Sequence, residues 1–515
     1  MIPHTPLLRK IIRAIRCAAA AHSDGLTRRR FLGKSAAALA VTALISDPSR
    51  AAVPKDPIAI IGAGVAGLTA ALRLMQAGAE VVLFEGNSRI GGRIQTLDDF
   101  IPAEMNDGKA MFCELGGELV DSNHADLLAL AKELGVEIQE IKAGDPGVEY
   151  YFLGGKIRTE ADLIAAFDPL AKQLAQDAGG LKDIGGNYTA KARRFDRMSI
   201  RAYLDSFRGK VPPWVLGLLD VAYEIEYGRA TKEQSALNLI TYLSPETKDG
   251  FAMFGESDES KRVKGGSSRI IEALEKAIAG KVKVHLRHKL TAMANRADGK
   301  LRLTFDTPEG EQRFSFSKMI CALPFTMLRG DRVAGIAEIG IRKGKLRAIE
   351  ELGYGNNTKA MIAFKKRFWR DAHPVNNGST YSDQSFQACW ECSRGQDGPS
   401  GVLTNFLGGE TAVDATPKDR FDTTLKELGK IFPGAEAAYL GRRVMSHWPT
   451  RDFMSGSYTC PLVGQVTSLL EHCATPELEG RLLFAGEHTS ADFSGFMCGG
   501  IQSGNRAAKE ALGEG

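Results

Sequence analysis

Cysteine is scarce in this sequence, and what there is does not pair off. Only 8 of the 515 residues are cysteine, and Cys17 falls in a segment expected to be removed, leaving seven. An odd number scattered over a long chain argues against a disulfide scaffold. Cys389 and Cys392 form a lone Cys-x-x-Cys without a second pair or a nearby histidine, so free thiols fit better than zinc or redox work. A strong charge of one sign is missing too. The formal net charge is +4, and residues 1–50 hold nine basic against two acidic side chains, which leaves 57 basic and 60 acidic groups in the body. Nothing there argues for a nucleic-acid partner. After the leader no segment reaches the ~18 uninterrupted apolar residues of a membrane span, so the mature protein is expected to be soluble. Internal repeats and low-complexity tracts are absent as well. No Ser/His/Asp or metal-ligand constellation stands out.

What is present begins with the leader. Thr27-Arg28-Arg29-Arg30-Phe31-Leu32 is a twin-arginine pattern, followed by an apolar stretch from Ala36 to Ile45 and then Ser49-Arg50-Ala51. Arginine pair, apolar run and small-residue cleavage site in that order read as an export signal over residues 1–51. The expected partner is the twin-arginine machinery, and the expected location of the folded protein is the periplasm. The remaining chain is long enough for two or three cores.

The mature part opens on chemistry. Pro57-Ile58-Ala59-Ile60-Ile61 reads as a buried parallel strand and runs straight into Gly62-Ala63-Gly64-Val65-Ala66-Gly67. A helix from Leu68 to Gln76 follows, stopped by Gly78, and then a strand from Glu80 to Phe84 that ends at Glu85. This is a βαβ dinucleotide unit. Gly62 makes the tight turn, Gly64 lets a pyrophosphate approach the backbone beside Ala66, and Gly67 lets helix pack on strand. The helix N-terminus offers N–H groups to phosphate. Glu85 can accept hydrogen bonds from ribose hydroxyls.

Four residues further on stands Arg89-Ile90-Gly91-Gly92-Arg93, and with it the chain resembles the flavin-containing monoamine and polyamine oxidase family and its amino-acid oxidase cousins. The resemblance covers the mature chain. Glu114-Leu115-Gly116-Gly117, Lys264-Gly265-Gly266-Ser267-Ser268, Val282-Lys283-Val284, Met319 to Pro324, and the ending Phe484-Ala485-Gly486-Glu487-His488-Thr489 with Gly495-Phe496-Met497 all carry it. It implies an α/β fold: a discontinuous, Rossmann-like FAD-binding domain of the GR2 type from 55–140, 262–330 and 445–515. An α+β substrate-binding domain would come from 141–261 and 331–444. It places Gly91, Gly92 and Arg93 along the pyrophosphate, with Arg93 neutralising its charge. Gly116 and Gly117 pass the flavin ring, Val284 pairs its backbone with adenine, Gly486 and Glu487 sit by the ribitol or pyrophosphate, and Met497 lies at the pyrimidine edge.

The same resemblance implies the reaction. A hydride passes from the amine Cα–H to flavin N5, an imine forms, and reoxidation by O2 yields hydrogen peroxide. Lys359 looks like the lysine that holds a water against N5. Tyr458 and Phe496 resemble the aromatic pair flanking the amine, with Trp448 a further wall; Phe496 departs from the usual second tyrosine and could instead be core packing. Ser457 stands where covalent members carry cysteine and Cys460 is displaced by two residues, so the FAD is expected to be non-covalent. Gln95 replaces a carboxylate-gripping arginine, which tilts the substrate towards small amines. Glu118 and Asp121 read equally as attractors of a cationic tail or as solvated loop acids. The alternatives are an L-amino-acid oxidase with another gripping arginine, a dehydrogenase passing electrons to a periplasmic carrier, a desaturase, or a flavin-binding protein without turnover. The oligomeric state is open, a homodimer included.

Overall fold

A computed structural model of the chain describes residues 54, 56–141, 148–158, 160–241, 259–373, 376–413 and 417–514. The leader with its twin-arginine pattern lies outside the described residues. Among those residues no helix is long and apolar enough to cross a membrane.

The first sheet is built around the run expected to be buried. Ile58–Ile61 is its central strand, flanked by Val81–Phe84 and Lys318–Cys321, with Lys283–His285 and Leu482–Phe484 at the edges. Every pairing is parallel. Its side chains alternate between faces as a strand's must. Ile58 and Ile60 pack with the helices Val65–Gln76, Ser268–Ile278 and Met497–Leu512. Ala59 and Ile61 pack on the other face, against an antiparallel layer of Lys289–Asn295, Leu301–Asp306 and Gln312–Phe316. Phe84 stacks there on Phe305 at 4.4 Å. Both faces are covered, which is why this strand reads as an unbroken apolar run.

The second sheet has seven strands, in the order Tyr439–His447, Thr358–Phe364, Gly401–Leu407, Ala388–Glu391, Asn376–Ser382, Val148–Leu153 and Lys156–Arg158. Only Asn376–Ser382 and Val148–Leu153 run parallel. Tyr381, Ala388 and Phe406 on one face meet helices that include Ala190–Asp196 and Pro213–Tyr227. Ala360, Ile362 and Phe364 on the other meet Pro417–Ile431. Together the two sheets give a mixed α/β fold with a Rossmann-like half.

The first helix boundary differs from expectation. The glycine-loop helix starts at Val65, three residues early, because the loop itself enters the first turn. The helical region from 160 to 227 is divided into Glu160–Ala178, Ala190–Asp196, Ile200–Asp205 and Pro213–Tyr227. Local capping makes the breaks. Thr189 accepts from the Ala192 N–H, Ser199 accepts from the Ala202 N–H, and Pro212-Pro213 restarts the chain.

Candidate active site

The glycine loop shows which glycines face open space and which face protein. Gly62 has φ +102°, a conformation L side chains avoid. A Cβ on Gly64 would meet nothing within 4 Å, whereas one on Gly67 would lie 1.9 Å from the Gly62 carbonyl oxygen. So Gly64 leaves room for a ligand, and Gly67 is spent on helix–strand contact. Gly91 donates its N–H to the Ala63 carbonyl, and a Cβ on Gly92 would sit 3.3 Å from Gly64 Cα. The Gly-Gly-Arg segment therefore lies directly on the loop. Glu85 pins the assembly: its carboxylate accepts the N–H groups of Ala63 and Asn87, both at 2.8 Å. Burial pushes that carboxyl above its ordinary range, the backbone donors working against it.

A cavity of about 710 Å³ opens in front of this loop. It is lined by Gly62, Gly64, Ala66, Glu85, Gly91, Gly92 and Arg93 at one end. Gly116, Gly117, Gly486, Glu487 and Met497 continue the wall. Lys359, Trp448, Tyr458 and Phe496 complete it. Of the site candidates named from sequence, Gly67, Val284, Gln95 and Asp121 do not line it. Gly67 packs as described. Val284 pairs with Leu83 on the edge strand and is 39% exposed, and Leu290 lines the cavity. The cause is a reversal of the chain, in which the His288 N–H bonds the Glu85 carbonyl and brings His288, Lys289 and Leu290 inward.

Two ion pairs are built into the wall. Arg93 donates to the Ser457 carbonyl at 2.6 Å and to Glu487 Oε1 at 2.9 Å. The other Glu487 oxygen accepts from the Thr459 hydroxyl and the Gly495 N–H. Lys359 is the second residue of the strand Thr358–Phe364, lies opposite Phe406 and is 7% exposed. Its ammonium donates to the Gly116 carbonyl at 2.8 Å, to Glu118 Oε2 at 2.9 Å and to the Glu114 carbonyl at 3.5 Å. Glu118 is thus a buried ion-pair partner of Lys359 and not a solvated acid. Asp121, 1% exposed, is not solvated either: it accepts the Glu259 N–H and lies 3.4 Å from His124.

The aromatic walls are held by backbone carbonyls. Tyr458 donates its hydroxyl to the Glu226 carbonyl at 2.8 Å, and burial keeps that phenol well above its ordinary pKa. Trp448 donates to the Leu115 carbonyl at 3.1 Å, with the Arg451 guanidinium 4.5 Å over its ring. Phe496 caps the C-terminal helix and sets its ring edge against His124 at 5.2 Å, so one residue both packs and lines the cavity.

Trp390 and Phe406 also line the cavity, their rings 5.2 Å apart, and neither was singled out from sequence. Strand alternation could have found Trp390, because Cys389 beside it faces the opposite core. Cys389 and Cys392 are both buried and unpaired, and burial pushes each thiol up to about 12. No group of metal-ligand side chains occurs among the described residues. Ser457 donates its hydroxyl to Asn357 at 2.6 Å, Cys460 lies in a hydrophobic core, and no cysteine lines the cavity among those residues.

A family model described as flavin containing amine oxidoreductase matches residues 65–512. Among curated relatives, "Lysine-specific histone demethylase 1 homolog 1" of Oryza sativa subsp. japonica is 25% identical over 480 residues, 88% of this chain and 52% of that protein. The chain thus spans about half the length of that relative. "Flavin-dependent L-tryptophan oxidase RebO" of Lentzea aerocolonigenes is 24% identical over 484 residues, covering 88% of this chain and 97% of that one. The solved structure of cyclohexylamine oxidase from Brevibacterium oxydans IH-35A superposes with a TM-score of 0.74 at 21% identity, covering 90% of this chain and 99% of that one.

Proposed function

Since the chain belongs to the flavin-containing amine oxidoreductase family, we propose that it binds FAD without a covalent link and oxidises a small amine. One observation carries this reading: a single cavity joins the glycine loop to Lys359 and the aromatic walls. The space before Gly64 and the absence of a cysteine from the wall fit a dinucleotide held by contact alone. When bound, FAD would supply the hydride acceptor for oxidation of the amine to an imine, with O2 as the final electron acceptor and hydrogen peroxide as its product.

The chain's own residues bind and orient. Gly62, Gly64, Gly91 and Gly92 would hold the pyrophosphate, and Glu85 the ribose. Gly116, Gly117 and Met497 would border the ring. Tyr458, Phe496 and Trp448 shape a slot that excludes water and admits an amine along one path. The five strands of the first sheet come from 55–140, 262–330 and 445–515, which supports dividing the chain into a discontinuous FAD domain and a substrate domain. The order of motifs in residues 1–51 supports export by the twin-arginine route to the periplasm. Finding mature protein only in the cytoplasm on cell fractionation would refute that.

A second reading has its own observation. Arg451 lines the cavity and donates to Gln95 Oε1 at 2.6 Å, so a guanidinium stands beside the glutamine that lacks the gripping charge. An L-amino acid could then be the substrate. One experiment decides: purified protein is mixed anaerobically with monoamines, polyamines and L-amino acids while flavin bleaching is followed, and acid-precipitated protein is checked for released FAD. Fastest bleaching by an amine, with all FAD in the supernatant, is expected. Fastest bleaching by an amino acid transfers the assignment to the second reading, and flavin retained in the pellet rejects the non-covalent link.

A further inference from the structure

We infer that Glu118 is a positioning residue that holds Lys359 in place and cancels its charge beside the flavin, and so sets how readily that flavin takes and gives up electrons. The inference rests on the placement of FAD proposed above. An ammonium has three N–H bonds, and Lys359 directs its three at Glu118, Gly116 and the more distant Glu114 carbonyl. Glu118 has a side chain only 3% exposed. Burial pushes its carboxyl up, but Lys359 and Arg262 outweigh that and hold it below its ordinary range. It is therefore an anion at neutral pH.

Around the pair stand the other groups that matter. Arg262, 2% exposed, donates to the carbonyls of Cys392 and Arg394. The Cys392 thiol is a neighbour of the Glu118 carboxylate, and the Trp390 ring lies 5.4 Å from the ammonium. Gly116, Gly117, Glu118 and Lys359 all line the cavity. From within it, opposite charges 2.9 Å apart act as a short dipole. Without Glu118 the same lysine would present a whole positive charge across a wall of low dielectric.

The test uses FAD-loaded protein and two readouts, the flavin midpoint potential by dye equilibration and the rate at which photoreduced flavin is reoxidised by oxygen. Glu118→Gln is expected to raise the potential and speed reoxidation by roughly tenfold, because a positive charge stabilises the negative charge developing as oxygen accepts an electron. Glu118→Asp should restore both towards wild type. As Glu118→Gln strands a buried cation and could fold poorly, Lys359→Met and the doubly neutral Glu118→Gln/Lys359→Met protein are measured beside it. Lys359→Met should lower the potential, and the double substitution should return it towards wild type. A Glu118→Gln protein equal to wild type in both readouts, or a double variant no closer to wild type than Lys359→Met, overturns the inference alone. Wild-type protein that takes up no flavin overturns the reading beneath it as well. Neither readout needs an amine, so failure of the substrate assignment is separately visible.

Discussion

At the scale of single residues the Lys359–Glu118 pair changes what a substitution would do. Lys359 stands near the start of its strand, and methionine in its place keeps the length and apolar volume of the stem. The structure places it in a buried ion pair with a partner 241 positions away. Removing one member of such a pair commonly costs about 3–5 kcal/mol, because the other charge is left in low dielectric without compensation. Lys359→Met should therefore lose stability of that order in denaturant unfolding, and adding Glu118→Gln should recover most of it. Additive losses in the double variant would show that the two side chains are not coupled. The motif around Lys359 and strand alternation make its arrival at the cavity legible. Its partner is not legible, since Glu118 lies in a loop and nothing local in sequence pairs a loop acid with a strand lysine.

At the scale of elements the close contacts are made by glycine. Gly500 and Gly504 on the C-terminal helix face the glycine-loop helix, and a Cβ on Gly504 would lie 2.4 Å from the Ala66 carbonyl oxygen. That obstacle is the backbone of a residue that lines the cavity, so it cannot swing aside. Gly504→Ala should lower both thermal stability and FAD content. Gly217, within the helix Pro213–Tyr227 and with nothing within 4 Å of its missing Cβ, is the control. Gly217→Ala should be neutral or stabilising by about 0.5–1 kcal/mol, as expected for alanine over glycine in a helix. Equal behaviour of the two variants in melting and flavin content would refute the contact argument. Elements whose signals are local could be read directly: the strand Ile58–Ile61, its glycine loop and the second strand lie in one stretch of chain. Val284 lies off the cavity because the chain turns inward only after Lys283–His285, at His288 to Leu290. A three-residue strand carries no periodicity to reveal that.

At the scale of the molecule the fold is sewn together by groups far apart in sequence, and Glu114 is one of them. It ends the strand Met111–Glu114, accepts the N–H of Ser267 at 2.7 Å, and receives the Thr96 hydroxyl at 3.0 Å. It thereby ties the segment after the glycine loop to the head of the helix Ser268–Ile278, two stretches far apart in sequence. Burial is the main cause that raises its carboxyl from 4.5 to about 7, with Arg262 and Lys359 opposing and Glu118 assisting. In the unfolded chain the group ionises near 4.5, while in the folded protein it stays protonated to about 7. The unfolded state therefore releases the proton first as pH rises. Stability from this group is complete below the unfolded value and is lost as pH climbs through about 7. At ~1.36 kcal/mol per unit, the full loss is about 3 kcal/mol. Glu224, raised to about 7 chiefly by burial, adds a second loss over the same window. Glu114→Gln keeps an acceptor for Ser267 and Thr96 but cannot ionise, so its share should vanish while those of Glu224 and Glu85 remain. Thermal unfolding followed from pH 4.5 to 8.5 should then fall less steeply in Glu114→Gln than in wild type. Parallel curves would mean that Glu114 is ionised in the folded protein throughout, and that the connection is held by charge instead of by a neutral carboxyl.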